Sequence, residues 1–452
     1  MMVMKFGGSS LSDESRIRTC VDAVKKALER RPVVVVSAIG RTTDTLLAAC
    51  RRALQGKGSA ATVRRLHLRL ARDLGLPERL LEPLLFRLEA LLRGVQMVGE
   101  VAPATLDRVL SFGERLSATL FAGALRVSGV DAEAVEAGEV GFLTDENHTR
   151  AGPLPGIERA LGANLKRRRR LPVVTGFVGR TRRGRITTIG RNGSDYTASV
   201  IAASVGAEEL QIWTDTPGLM SADPRRVPGA EPVDRLSYWE AAEVAHFGAT
   251  VLHPKTLIPL LRKRIPLRIL STLRPDEPGT LIGPRGAGRV VVTRFAPVGV
   301  LSVRTHRISP ILADLSAIDA ALDDCGLLPL AMANSRSALS ICVRQSGPAK
   351  RTNFRLESGV VRFYTPGARD LGARVRRFSR AIRTLAHVEM RAGCTLLCAV
   401  GKEEDLLRRS VEALADAEVL MAQKSGGAVL FVVGRGHGTR ALADLHEALT
   451  GR

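Results

Sequence analysis

Val3-Met4-Lys5-Phe6-Gly7-Gly8-Ser9-Ser10 opens the chain with a short apolar run that carries a cation and breaks into two glycines and two hydroxyls. The apolar-periodic stretch Ile17 to Leu28 follows, and then Val33-Val34-Val35-Val36. Strand, glycine turn, helix and strand in that order form a βαβ unit, and such units build parallel sheets covered by helices. The alternation returns at Val173 to Val178, Arg185 to Ile189 and Gln211 to Thr214, with helix-period segments at Asp195 to Ala203, Ser237 to Phe247 and Leu257 to Arg262. Leu46 to Leu92 reads as a Leu/Arg-rich helical excursion broken by Pro77 and Pro83. The expected fold is α/β: a mostly parallel sheet sandwiched by helices over residues 1–283.

Pro278 to Gly288 carries the densest Gly and Pro punctuation of the chain, so residues 284–297 read as a linker. Residues 298–452 read as two small α+β modules. Strands are expected at Gly299 to Arg304, Ala338 to Arg344, Thr395 to Val400 and Ala428 to Val433. Helices are expected at Leu312 to Leu322, Glu403 to Ala415 and Thr439 to Leu449.

Composition narrows the function classes. With 452 residues, 45% hydrophobic and 25% charged, the chain is of ordinary globular make-up and long enough for two or three cores. No apolar stretch approaches the roughly 18 to 20 residues of a membrane helix, and no basic-then-apolar leader opens the sequence; a cytoplasmic protein without a membrane partner is expected. The six cysteines lie apart with no CxxC, and the eight histidines form no HExxH, so no metal site is expected in the protein itself. The formal charge of +22 invites a nucleic-acid reading. Yet Lys occupies only ten positions among the 67 basic residues, and the arginines are scattered. The one dense run, Lys166 to Arg170, reads as a solvated helix end, and three Tyr and two Trp leave little to stack on bases. No nucleic-acid partner is expected.

Three segments can carry chemistry. In Lys5 to Ser10 the glycines let backbone N–H groups approach phosphate oxygens, and Lys5 offers a point charge; a strand-to-helix turn also needs glycine for steric reasons alone. Gly190-Arg191-Asn192-Gly193-Ser194-Asp195-Tyr196-Thr197-Ala198 again joins a strand to a helix, combining a guanidinium able to clamp a carboxylate with a carboxylate at the helix start. Trp213-Thr214-Asp215 is a strand end, where α/β sheets hold ligands. Glu114-Arg115 in a helical segment would, alone, be a surface ion pair. Gly434-Arg435-Gly436-His437-Gly438 imitates a dinucleotide fingerprint but lacks a second βαβ unit and the distant acidic residue that reading needs.

Taken in order, Lys5-Phe6-Gly7-Gly8-Ser9-Ser10, Val36-Ser37-Ala38-Ile39, Phe112-Gly113-Glu114-Arg115-Leu116-Ser117, Thr188 to Ala198, Trp213-Thr214-Asp215, Ala222-Asp223-Pro224-Arg225, Phe247-Gly248-Ala249 and Leu252-His253-Pro254 closely resemble the aspartate kinases of the amino-acid-kinase superfamily. The resemblance covers residues 3–283 strongly, and residues 298–452 resemble the paired ACT regulatory modules of that family. It is to the monofunctional form, without an appended homoserine dehydrogenase. It implies transfer of the γ-phosphoryl of ATP, with Mg2+ carried by the nucleotide, to the β-carboxylate of L-aspartate, the first step toward lysine, threonine and methionine. A related kinase acting on another acidic substrate, or an impaired ligand-sensing paralogue, is the alternative.

By motif match, Lys5 and Asp195 are the catalytic pair. Lys5, Phe6, Gly7, Gly8, Ser9, Thr214, Asp215, Met220, Arg225 and Thr250 are the nucleotide residues, and Thr43, Glu114, Arg191 and Ser194 hold aspartate. The resemblance also implies a homodimer or larger homo-oligomer through the ACT-like modules. Departures are present: Asp44 stands where the family's SAxxxxTN segment has Asn, and Thr250 where many members carry Lys or Gln. In the effector loops, Pro310 replaces an expected Gly and removes an N–H, while Glu403, Glu404 and Asp405 bring carboxylates to a site meant for an anion. A weak or absent response to lysine and threonine is expected.

Overall fold

The computed structural model describes residues 1–190, 192–248, 252–305, 314–335, 338–345, 353–357, 359–364, 370–402 and 405–451. The chain divides into two compact units, and the division is not linear. The first comprises Met1–Leu219, Val251–Pro284 and Thr352–Tyr364; the second comprises Met220–Thr250, Arg285–Arg351 and Thr365–Arg452.

In the first unit the strands Ala132–Val135, Leu171–Thr175, Val33–Val36, Val3–Phe6, Leu210–Thr214, Leu267–Ser271 and Thr280–Gly283 lie side by side in that order. All pair in parallel except the last, which runs antiparallel to Leu267–Ser271. Every residue of Val3–Phe6 and of Val33–Val36 is buried, the pattern of strands covered on both faces. Met2, Met4 and Phe6 enter a core shared with the helices Glu14–Lys26 and Pro103–Val127. Lys5, on the opposite face of its strand, meets the helix Gly193–Val205.

Local chemistry places these helices. Asp13 caps Glu14–Lys26 by accepting the Arg16 N–H at 3.0 Å, Lys25 and Lys26 sit in its last turn, and Ile17, Cys20, Val21 and Val24 form its buried stripe. The helical excursion is present, but its prolines begin elements rather than break them. Pro77 precedes the short helix Glu78–Leu80, Pro83 lies in the first turn of Glu82–Val98, and Pro103 starts Pro103–Val127, because the first turn needs no donor from them. The expected strand Val173 to Val178 is two strands, Leu171–Thr175 and Val178–Thr181, separated at Phe177, whose φ is 63°. The second of these pairs with Leu143–Thr144 and Ile186–Thr188 in a small separate sheet.

In the second unit the order is Pro329–Asn334, Ala338–Arg344, Val291–Thr305, Ala386–Val400, Ala428–Val433 and Val419–Ser425, antiparallel throughout. The stretch read as a linker, 284–297, instead enters the fifteen-residue strand Val291–Thr305, because its run of β-branched residues pairs along Ala386–Val400. One sheet carries two cores. One core gathers Leu301, Val303, Ile318, Ile341 and Phe378, and the other Val290, Val292, Leu397, Phe431, Leu442 and Leu445. Ala222 and Val227 also enter the second core, which is why Met220–Thr250 groups with this unit. The hairpin Asn353–Glu357 with Val360–Tyr364, inside the C-terminal stretch, belongs to the first unit; Val361 N–H donates to Val101 O at 2.9 Å.

The six cysteines are all buried and unpaired by disulfide, and burial pushes the Cys50 and Cys342 thiols up to about 12. Lys166 closes the helix Glu158–Lys166, and Arg168 and Arg170 pair with Glu133 and Asp131, in keeping with a solvated helix end. Among the described residues no helix is long and apolar enough to cross a membrane.

Candidate active site

The site lies at the carboxyl edge of the parallel sheet in the first unit, where open α/β sheets hold ligands. Phe6 is in register with Trp213, so Gly7 and Thr214 leave adjacent strands at the same level. The Gly7 N–H donates to the Trp213 carbonyl at 3.1 Å, so that amide is not free for a phosphate oxygen. Gly8 must be glycine for a steric reason. A Cβ there would stand 2.5 Å from the Ala38 carbonyl oxygen, and its own carbonyl accepts the Gly40 N–H at 2.9 Å. Phe6, offered as a nucleotide contact, has no exposed surface and packs its ring 5.3 Å from Phe121; its side chain serves the core instead.

Lys5 Nζ lies 2.5 Å from Asp195 Oδ1, and both residues are 8% exposed. The pairing joins the first strand to the first turn of Gly193–Val205, far along the chain. Ser194, also 8% exposed, is seated against Gly176, where a Cβ would come within 2.6 Å of the Ser194 Cβ. Asn192, at φ 55°, turns the chain into this helix.

Glu114 faces the site from Pro103–Val127. It is 3% exposed; its Oε1 accepts the Ala38 N–H at 3.1 Å, and its Oε2 is buried without a partner. Burial pushes its carboxyl up to about 8, opposed by the Ala38 hydrogen bond and, more weakly, by the charge of Lys5. A buried carboxylate oxygen with nothing to accept from is costly unless a ligand supplies the donor. Arg115 turns away from it: the guanidinium pairs with Glu136 at 2.7 Å and lies over the Phe112 ring.

Thr43 is half-buried at the start of Thr42–Ala53. Asp44 is drawn to Arg41 at 3.3 Å, which offsets its charge. The Thr214 hydroxyl donates to Asp215 at 3.2 Å, and the Thr214 carbonyl accepts from both the amide and the hydroxyl of Thr272. Met220 and Arg225 belong to the second unit, where Arg225 is exposed and clasps Asp223 at 2.9 Å, holding that carboxyl below its ordinary range. Arg191 and Thr250 lie outside the described residues, as do Pro310, Glu403 and Glu404.

Sequence reading missed the backbone strain here. Phe177 and Thr149, both non-glycine at φ 63° and 73°, flank Ile189 and Gly190: the Phe177 carbonyl accepts the Ile189 N–H, and the Thr149 carbonyl abuts Gly190. Strain of this kind gathers at functional sites, but neither residue type advertises it locally.

Residues 1–271 match the family model described as the amino acid kinase family. The chain belongs to the amino acid kinase family. Within that family it is 35% identical over 364 residues to the chloroplastic aspartokinase 2 of Arabidopsis thaliana, covering 77% of this chain and 66% of that one. It is also 35% identical over 292 residues to the lysine-sensitive aspartokinase 3 of Escherichia coli, covering 62% of this chain and 64% of that one. Both matches span just under two thirds of the relative's own length. Among solved structures, E. coli aspartokinase III in complex with aspartate and ADP superposes with a TM-score of 0.80 at 25% identity, over 99% of both chains. The fold of Clostridium acetobutylicum aspartate kinase matches with a TM-score of 0.78 at 21% identity, over 99% of this chain and all of that one. The whole-chain likeness to E. coli aspartokinase III extends through the antiparallel C-terminal sheet of this amino acid kinase.

Proposed function

We propose that this amino acid kinase phosphorylates L-aspartate, using ATP with its Mg2+ as co-substrate. The β-carboxylate oxygen of aspartate attacks the γ-phosphorus, the bond from that phosphorus to the β–γ bridging oxygen breaks, and ADP departs from β-aspartyl phosphate. Such a transfer needs in-line positioning and neutralised charge more than covalent help from the protein. The observation that carries the reading is the buried Lys5–Asp195 pair at the sheet edge together with the unpartnered Oε2 of Glu114. One supplies a fixed cation for the transferring phosphoryl; the other is a buried carboxyl that ionises against an arriving ammonium.

In this reading Asp195 orients Lys5, and the Gly8 and Ser9 amides face the phosphates. Glu114 takes the α-ammonium, and Arg191 clamps the α-carboxylate with Thr43 and Ser194 beside it. Thr214, Asp215, Met220, Arg225 and Thr250 line the nucleotide. The aspartate- and ADP-bound relative supports the assignment of both substrates. A cytoplasmic enzyme of lysine and threonine biosynthesis, assembled as a homo-oligomer through its C-terminal sheet, completes the proposal.

The test is ATP turnover with L-aspartate, with L-glutamate and without acceptor, trapping acyl phosphate with hydroxylamine. Hydroxamate with aspartate alone is expected. Turnover with glutamate instead would move the chain to another acidic substrate, and none with any acceptor would refute the kinase reading.

A further inference from the structure

Asp107 is fully buried, and nothing assigned so far uses it. It lies on Pro103–Val127 two turns before Glu114, so the two carboxylates share a helix face. Three polar groups converge on it. The Thr188 hydroxyl donates to Oδ1 at 2.5 Å, the Thr149 N–H is shared between both oxygens at 3.1 Å, and His148 Nδ1 lies 2.7 Å from Oδ2.

Two of them, Thr188 and Thr149, frame Gly190 and the approach to the helix Gly193–Val205. Thr188 ends the strand Ile186–Thr188 that leads into it, and its carbonyl accepts the Ala151 N–H at 3.0 Å. A Cβ on Gly190 would stand 3.3 Å from the Thr149 carbonyl oxygen, so Gly190 rests on this backbone. Thr149 is held at φ 73°, a conformation that β-branched residues adopt only under constraint.

Stability alone does not favour a carboxylate at this place, since apolar residues of similar volume generally serve a core as well or better. A carboxylate adds direction: it accepts from several elements at once and sets their distances. We propose that Asp107 is a positioning residue for the acceptor substrate, tying strand end, 145–151 loop and helix together so that Gly190 and the start of the helix Gly193–Val205 are held at a set distance from Glu114. This rests on the acceptor-site assignment made above.

The experiment is steady-state kinetics and thermal unfolding of the full chain for Asp107→Asn, Thr188→Val, Thr188→Ser and Glu114→Gln. Asp107→Asn and Thr188→Val are expected to raise the aspartate KM at least tenfold, with the ATP KM within twofold of the parent. Thr188→Ser, which keeps the hydroxyl, stays within twofold in both. An aspartate KM unchanged in Thr188→Val and Asp107→Asn overturns the proposal, as does a parallel rise of both KM values with a lowered melting temperature. If Asp107→Asn does not fold, the two Thr188 variants decide alone. A Glu114→Gln enzyme with unaltered aspartate KM would instead sink the acceptor-site assignment, and the proposal with it.

Discussion

Replacing Glu114 with Gln should stabilise the apo protein while crippling it as an enzyme. The carboxyl is raised from 4.5 to about 8 by burial. Between those values the unfolded chain ionises and the folded one stays protonated, so the folded state binds more protons and its stability falls as pH rises. The loss begins near pH 4.5, is complete above pH 8, and amounts to about 3 kcal/mol at pH 7 and on the order of 5 kcal/mol above pH 8. Gln has the same shape and never ionises. Its advantage over the parent should therefore be near zero at pH 4.5 and grow by roughly 1.4 kcal/mol per pH unit up to pH 8. Urea unfolding followed by Trp213 fluorescence reads the first unit directly, because Trp213 is buried beside Phe6. Trp239 is 73% exposed and can be changed to Phe to remove its signal. The same carboxyl makes aspartate binding a protonic event: an arriving ammonium favours the ionised form, so binding at pH 7 should release most of a proton in the parent and none from this position in the variant. Calorimetry in two buffers of different ionisation enthalpy measures it. A stability difference that stays flat from pH 5 to 8.5 would refute the claim that Glu114 is held neutral.

Lys5→Ala should lower turnover by roughly 100-fold or more while nucleotide affinity changes much less, because a charge that stabilises the transferring phosphoryl acts mainly on the rate; unchanged turnover removes Lys5 from the mechanism. Arg191→Ala should weaken aspartate recognition by roughly 1.5 to 3 kcal/mol, the cost of a carboxylate left without its bidentate partner, and an apparent affinity within about twofold contradicts the clamp. His67 has no exposed surface, burial lowers its pKa from 6.5 to about 4, and its Nε2 has no partner. The unfolded chain takes up that proton first, so this group costs about 2 kcal/mol of stability on going from pH 7 to pH 5. His67→Leu should narrow the gap between the urea midpoints at the two pH values; an unchanged gap refutes the assignment. Lysine and threonine are expected to inhibit the full chain weakly or not at all, given Pro310 and the carboxylates after Lys402, and sub-millimolar inhibition by either would show that reading to be mistaken.

What the sequence made legible and what it hid divide along a physical line. Lys5, Gly8 and Asp195 were readable because each sits where strand passes to helix, and that passage has local rules: glycine where backbones touch, a polar residue at the first turn. The burial of Lys5 with Asp195 then follows from strands that are covered on both faces. Asp107 was invisible for the opposite reason. An acidic residue in a helix between Leu106 and Arg108 has the pattern of a solvent-facing position, and only the return of the chain 41 residues later, with His148 and Thr149, encloses it. Strain at Thr149 and Phe177 likewise arises from tertiary fit, which forces backbone angles that neither residue favours by itself.

The non-linear division of the chain has the same origin. Pro278 to Gly288 looks like a boundary because turns collect there, and the long strand Val291–Thr305 does begin just after it. But membership in a core is decided by apolar side chains, not by punctuation. Ala222 and Val227 lie in a turn-rich stretch with no periodicity, yet they pack with Val290, Val292, Leu442 and Leu445 of the second unit. Ser221, next to them, shares a hydrogen bond of 2.8 Å with the buried Nε2 of His446 on the C-terminal helix Gly438–Thr450, and its carbonyl accepts the Val292 N–H. The segment that carries Met220 and Arg225, assigned above to the nucleotide, is therefore shaped by the packing of the C-terminal sheet. Removing residues 298–452 would strip that segment of its core, so a truncated chain is expected to lose the ordered packing of Ala222 and Val227.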